Sequence, residues 1–328
     1  MTFKRLRWLS LLLAATLLSG CAPNVALFGG GPAPLKEYTL SGEGRDKLLV
    51  ITVRGVISHL PKRRFLGSAP SMVEEIVAQL HKAEEDDHVK GVLFKIDSPG
   101  GSTTASDILY HEIDSFRERT HKPIAVIMLN MAASGGYYIA LPADLIMAHP
   151  TTVTGSIGVI YVRPRVAGLL EKVGVEVAVN KSGENKDMGS PFRTPTIIEE
   201  ELFQEITDKL AGRFLDLVAE HRGLTPEALN DVATARIYLA ADAQRLGLVD
   251  EIVYLPQAIE RAKEISGLDK GAKVVVYHRR PRADDTVYST ATANAANGGA
   301  GALLGLPRLG TGISAGFHYL WQPGLGWQ

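Results

Sequence analysis

The sequence predicts an α/β protein built on a mostly parallel sheet, and three observations predict it. Apolar runs of strand length (residues 48–56, 89–96, 123–129 and 145–148) alternate with stretches of helical period. That spacing calls for right-handed crossovers between parallel strands. Two Ser/Thr-x-x-Glu signals, at Ser71 to Glu74 and Thr196 to Glu199, open helices. Hydrophobic residues fill 45% of the 328 positions, enough to build a core.

In chain order, residues 21–45 read as a flexible tether, because Gly29-Gly30-Gly31-Pro32-Ala33-Pro34 dominates and periodicity is absent. Residues 48–56 form the first strand. The helix opened by Ser71 places Met72, Ile76, Leu80 and Ala83 on one face. After strand 89–96, Asp97-Ser98-Pro99-Gly100-Gly101-Ser102 is a tight loop leading to helix 106–119. Strand 123–129, helix 135–141 and strand 145–148 follow. Helix 166–173 and strand 175–179 come next, and then a loop.

A long helix over 196–221 carries Ile198, Leu202, Ile206, Leu210, Phe214 and Leu217 as one stripe, and Gly223 stops it. Thr225-Pro226-Glu227 opens a short helix with proline at its favoured first position. Helical stretches at 240–246 and 256–266 precede a last strand at 272–277. From Asp284 the sequence thins to Thr, Ala, Asn and Gly, which reads as a mobile tail. Its terminal patch, Phe317-His318-Tyr319-Leu320-Trp321, is too apolar to stand free and is expected to dock on protein or membrane.

The N-terminus is a targeting segment. Lys4, Arg5 and Arg7 precede an apolar run at 8–18, shorter than the about 20 residues that span a bilayer. Residues 1–20 therefore read as a secretory signal. Leu18-Ser19-Gly20-Cys21 resembles the bacterial lipobox, which implies that Cys21 becomes a lipidated first residue. More than one acyl chain is needed for firm anchoring, and a diacylglyceryl group with an amide-linked chain supplies it. Cys21 is the only cysteine, so no disulfide forms within one chain.

A net charge of -1 gives no reason to expect a nucleic-acid partner. There is no H-E-x-x-H zinc motif, and Gly100-Gly101 lacks the lysine of a phosphate loop. No metal or cofactor is expected.

The chemistry centres on Asn130-Met131-Ala132-Ala133-Ser134-Gly135-Gly136, where a buried strand turns into a helix. Small neighbours leave Ser134 uncovered, and the first amides of the helix have no partners. A serine nucleophile with an oxyanion site fits that geometry, and so does a plain helix cap. Either His149 or a lysine could take the proton of the hydroxyl. An ordinary lysine has a pKa of about 10.4, so a lysine base must be shielded from water. Lys186, in the loop 181–191, is one candidate, with Lys181, Glu184 and Asp187 close by in sequence. Ser156, in Thr154-Gly155-Ser156-Ile157-Gly158, offers a hydroxyl to orient it.

Asp97-Ser98-Pro99-Gly100-Gly101, Ala132-Ala133-Ser134-Gly135-Gly136-Tyr137-Tyr138, Thr154-Gly155-Ser156-Ile157-Gly158 and Lys186-Asp187-Met188-Gly189-Ser190-Pro191 occur in this order. Ala235-Arg236-Ile237-Tyr238 and Ala241-Asp242-Ala243 to Glu251 extend the series, which spans roughly 46 to 266. Together they resemble the signal peptide peptidase A family, in its short single-copy form. The resemblance implies a Clp protease/crotonase-like fold of repeated ββα units, with a long helix and a C-terminal helical extension. It implies domains at 46–270 (protease) and 271–328 (last strand and tail). It also implies a serine endopeptidase with Ser134 as nucleophile, Lys186 as base and Ser156 orienting the lysine, with Gly101 and Gly135 as oxyanion donors. The intervals agree with the family: 186 − 134 = 52 and 156 − 134 = 22.

The implied substrates are cleaved signal peptides. The implied assembly is a homo-oligomeric ring, in which nucleophile and base can come from adjacent subunits. Envelope quality control with other targets, or a non-catalytic lipoprotein that keeps the fold, are the alternative readings. Many relatives carry a membrane-spanning segment in place of the lipobox, so the departure concerns anchoring and not chemistry.

Overall fold

Strand residues buried on both faces set the architecture. The computed structural model describes residues 32–63, 68–281, 285–289 and 316–321. The signal segment and Cys21 lie outside them. The secondary structure described belongs to the unit Leu35–Gln328; of the unit Met1–Pro34, only residues 32–34 are described.

The chain begins with β1 (Lys36–Ser41), β2 (Lys47–Arg54), the short pair β3 (Lys62–Arg63) and β4 (Ser68–Ala69), and α1 (Met72–Glu84). Next come β5 (Val89–Ser98), β6 (Gly100–Ser102), α2 (Thr103–Thr120), β7 (Ile124–Ala133) and the single-turn α3 (Gly135–Tyr138). β8 (Leu145–Ala148), β9 (Val153–Gly155), β10 (Ile160–Val162), α4 (Ala167–Lys172), a 3-10 turn (Glu184–Asp187) and α5 (Ile197–Arg222) follow. The remainder is α6 (Pro226–Val232), β11 (Ile237–Leu239), α7 (Ala240–Arg245), β12 (Glu251–Ile252), α8 (Leu255–Ile265), β13 (Lys273–His278) and β14 (Gly316–Leu320).

The main sheet runs β1-β13-β2-β5-β7-β8-β12. Every neighbouring pair from β13 to β12 is parallel, and β1 lies antiparallel on the outer edge. β9 continues the sheet beside the C-terminal end of β7, and β11 lies antiparallel on β9.

Successive strand residues face opposite sides. In β2, Leu49, Ile51 and Val53 face one core while Leu48 and Val50 face the other, and all five are buried. Such a strand is stable only with both faces covered. One face carries α1, α2 and α5, through Ile76 and Leu80, Leu109 and Phe116, and Phe214 and Val218. The other carries α8, through Leu255, Ala258, Ile259 and Ala262.

Both predicted capping boxes are present. Glu74 N donates to Ser71 Oγ and Ser71 N to the Glu74 carboxylate; Thr196 and Glu199 repeat the pattern at α5. Each side-chain cap contributes about 1 kcal/mol. Gly223 ends α5 in the left-handed region, at φ 55°.

Five local expectations need correction. Residues 36–41 are not tether but β1; alternating Tyr38 and Leu40 pack against the second core, a pattern masked in sequence by the preceding Gly/Pro run. Asp97 and Ser98 belong to β5, and Gly100–Ser102 form a strand, so the expected loop is reduced to Pro99. The helix expected over 135–141 ends as helix at Tyr138. Residues 175–179 form no strand, because they find no partner strand among the described residues; Val175, Val177 and Val179 are exposed.

The α5 stripe is the fifth. Glu199, Phe203, Phe214 and Val218 are its buried positions, while Ile197, Ile198 and Ile206 are exposed. At the start of the tail, residues 285–289 lie against the domain. Buried Lys95 donates to the carbonyls of Val287 and Ser289 (2.7 Å each), and His278 Nε2 lies 2.6 Å from Asp285 Oδ2. The terminal aromatic patch docks on protein, as β14. The Gly/Ala-rich residues 290–315 lie outside the described residues.

Candidate active site

Ser134 stands at the C-terminal end of β7, where the parallel sheet opens. Its backbone is left-handed (φ 53°, ψ −117°), a conformation costly for a residue with a Cβ. The neighbouring pairing holds it there. β9 joins β7 through Ala132↔Thr154 and Ala133↔Gly155, and Ser134 N donates to Gly155 O at 2.7 Å. Thr154 Oγ1 also donates to Ala132 O at 2.6 Å. One step beyond this register stands Ser156, likewise left-handed at φ 50° and buried, its N bound to Arg236 O. The two serines are thus brought side by side by one ladder.

After Ser134 the chain turns into α3. Tyr137 N and Tyr138 N both donate to Ser134 O at 2.9 Å. The two tyrosine rings are fully buried, and their hydroxyls donate to Leu248 O (2.8 Å) and Asp107 Oδ1 (2.6 Å). Arg213 on α5 also binds Asp107, at 2.7 Å, which ties α3 to the long helix. The Ser134 hydroxyl itself is buried, and its one hydrogen-bond partner among the described residues is Gly158 O, 3.5 Å away.

Facing the serine is the turn around Gly100, at φ +97°. Ser98 Oγ accepts from Gly100 N (3.1 Å) and donates to Gly55 O (2.7 Å), which fixes this turn. Ile57 N donates to Gly100 O, and Ser102 N to Ile57 O. The backbone is packed so closely that side chains are excluded. A methyl group on Gly100 would fall 2.7 Å from Gly135 N and 2.0 Å from Tyr319 O; one on Gly101 would fall 1.9 Å from Ile57 O. One on Gly135 would meet Ser106 Oγ at 2.4 Å, a buried hydroxyl with no hydrogen-bond partner among the described residues.

The structure therefore brings Ser134, Ser156, Gly135 and the Gly100-Gly101 turn together, but not Lys186. Lys186 lies on the exposed turn Glu184–Asp187, and its amine makes no hydrogen bond or ion pair among the described residues. The burial expected of a lysine base is not met inside one chain. Lys181 is committed elsewhere: its amine binds Asp187 at 2.8 Å. Arg193 binds both Asp187 and Glu199, holding the Asp187 carboxyl far below the usual carboxylate range and bringing Glu199 down to about 2. His149 spends its ring on Thr151 Oγ1 (2.9 Å) and on the edge of Tyr254. Sequence reasoning missed Ser98, Ile57 and Tyr319; the last was signalled only by aromatic residues alternating in a plain tail.

The sequence profile of peptidase family S49 matches residues 117–269, and that of Clp protease matches 60–152. A putative signal peptide peptidase SppA from Enterococcus faecium is 36% identical over 238 residues, covering 73% of this chain and 69% of the relative. The chain is a peptidase of family S49. Serine protease SPPA of Arabidopsis thaliana, chloroplastic, is 32% identical over 74% of this S49 peptidase. Protease 4 of Haemophilus influenzae is 33% identical over 71% of it; the chain spans 36% of each of these two relatives. This S49 peptidase is a serine-type endopeptidase on the Clp protease-like α/β fold.

Two outcomes follow from the site. Gly100→Ala drives a methyl group into the gap before Gly135 and is expected to lower kcat/KM for peptide hydrolysis about 100-fold, the scale of a lost oxyanion donor. Steady-state kinetics on the purified variant measures it, and unchanged kcat/KM refutes the role of this turn. Glu199 has a folded pKa below its ordinary 4.5, so its stabilising contribution is full above that value and is lost as pH falls towards 2. Glu199→Gln should flatten the decline of Tm across that window; an unaltered slope would discount the Arg193 network.

Proposed function

We propose that this S49 peptidase hydrolyses cleaved signal peptides and other short envelope peptides through a dyad of Ser134 and Lys186, the lysine coming from a second copy of the chain. The observation that carries this reading is a complementary pair of vacancies. Among the described residues, a buried, conformationally strained serine has no base beside it, and an exposed lysine has no partner. Lys181 is held by Asp187, so Lys186 is the amine of that loop free to serve. Exposed apolar side chains flank it on both sides in sequence, Val175, Val177, Val179, Phe192, Ile197 and Ile198, a surface suited to burial against a neighbour.

In this mechanism neutral Lys186 accepts the proton of Ser134 Oγ as the oxygen attacks the peptide carbonyl carbon. The amides of Gly101 and Gly135 hold the oxyanion, and Ser156 orients the amine. The Lys186 ammonium then returns the proton to the leaving amine, and water hydrolyses the ester. Covering by a second copy would remove the lysine from water; a pKa lowered by about 3 units corresponds to roughly 4 kcal/mol.

Lipidated Cys21 would hold the enzyme on a membrane facing the periplasm, where apolar peptides are locally concentrated. No helix among the described residues is long and apolar enough to cross a membrane.

Ser134→Ala and Lys186→Ala should each lower peptide hydrolysis by about 1,000-fold or more while leaving the circular dichroism unchanged. Mixing the two inactive variants, with subunit exchange, should restore activity at roughly a quarter of the sites. Activity persisting in either variant removes that residue from the mechanism, and no recovery on mixing refutes the shared site. Cys21→Ser should abolish incorporation of labelled fatty acid; retained labelling argues against the lipobox.

A further inference from the structure

The amide of Gly135, proposed as an oxyanion donor, is aimed by what holds its neighbour's carbonyl. Gly135 N and Ser134 O belong to one planar peptide group, so the direction of one fixes that of the other. Ser134 O accepts from Tyr137 N and Tyr138 N, both at 2.9 Å. Those two amides lie in α3, a helix of four residues. A single turn has too few hydrogen bonds to hold itself, so its orientation comes from outside.

Support comes through the two tyrosine hydroxyls, and the two differ in kind. Tyr137 donates to a main-chain carbonyl, Leu248 O, in a buried residue. Tyr138 donates to a side chain, Asp107 Oδ1 on α2, at 2.6 Å. Arg213 of α5 donates to that same oxygen from Nε (3.1 Å) and Nη2 (2.7 Å). All three bonds therefore end on one oxygen of one carboxylate. The rings of Phe214, Tyr319 and Tyr110 enclose that of Tyr138 at 4.8, 4.9 and 5.4 Å. Burial, with the Asp107 bond, raises the pKa of this phenol above its ordinary value, so the hydroxyl stays a donor. Ser106, next to Asp107 on α2, sets its buried hydroxyl against Gly135, so the first turn of α2 meets α3 twice.

We infer that Asp107 is a positioning residue for peptide hydrolysis: through the Tyr138 hydroxyl it fixes the tilt of α3, and so the aim of the Gly135 amide. Arg213 steadies the carboxylate from α5. The inference rests on the proposed roles of Ser134 and Gly135; the hydrogen bonds themselves do not. The oxyanion exists only beyond the ground state, so a misaimed amide lowers kcat and leaves KM alone.

The test compares the full-length protein with Tyr138→Phe, Asp107→Ala, their combination and Asp107→Asn. Each is read by steady-state hydrolysis of a fluorogenic peptide of leucine, alanine and valine. Tyr138→Phe and Asp107→Ala should each lower kcat about 30-fold with KM unaltered, since a small misplacement of a catalytic group costs up to about 100-fold. The combination should lose no more than the larger single loss, because both changes cut one bond. Asp107→Asn keeps the Oδ1 acceptor and should return kcat to within about 3-fold of the parent. Tyr110→Phe is the packing control: it strips a hydroxyl bound to His221 from the same aromatic cluster and should match the parent. Unchanged kcat in Tyr138→Phe, an equal loss in Tyr110→Phe, losses that multiply in the combination, or Asp107→Asn as slow as Tyr138→Phe overturns the inference. Any of these beside an inactive Ser134→Ala protein leaves the nucleophile standing; a Ser134→Ala protein as active as the parent overturns both. Should Asp107→Ala not fold, Tyr138→Phe, Tyr110→Phe and Asp107→Asn decide on the same terms.

Discussion

The site depends on one hydrogen bond and the ladder behind it. Ser134 N donating to Gly155 O closes the parallel pairing of β7 and β9, and it holds a serine in left-handed backbone. Isolated, that conformation is uphill by about 1–3 kcal/mol. The surroundings over-determine it: Tyr137 and Tyr138 anchor the turn from one side, and Thr154 fastens β9 from the other. The glycines at 100, 101 and 135 follow from the same close packing, because backbone approaches backbone there with no room for a Cβ.

What was legible in the sequence was local. Fully apolar strands announced a sheet covered on both faces, and the two capping boxes fixed where α1 and α5 begin. Ser134 was legible as a turn residue because an apolar strand gives way there to Gly135 and Gly136, but the expectation that small neighbours leave it uncovered is not met, since it is buried. What was not legible depends on partners distant in the chain. β1 has a weak alternation that means little until β13 is beside it, and β14 is five residues of a plain tail until β6 and β10 flank them. The converse failure is residues 175–179, where Val175, Val177 and Val179 alternate as a strand should and no strand pairs with them in the described chain.

The segment that carries Lys186, the proposed base, has its own logic. Residues 163–199 combine a tight charge network with uncovered apolar side chains. Arg193, Asp187, Glu199 and Lys181 neutralise one another, so the loop carrying Lys186 is shaped by ion pairs and not by a core of its own. Shape without burial is what a segment needs if its final environment comes from outside the chain. The long α5 fits this picture: Phe214 and Val218 bury its second half, while Ile197 and Ile198 leave the start of the helix open.

The order of strands in the main sheet has a consequence for how the molecule comes into being. β13 stands between β1 and β2, and its contact Val274↔Leu48 joins positions 274 − 48 = 226 residues apart. The first strands synthesised therefore keep an unpaired edge until almost the whole domain has been made. Such long-range closure makes folding slow and late, and leaves the growing polypeptide unable to lock prematurely.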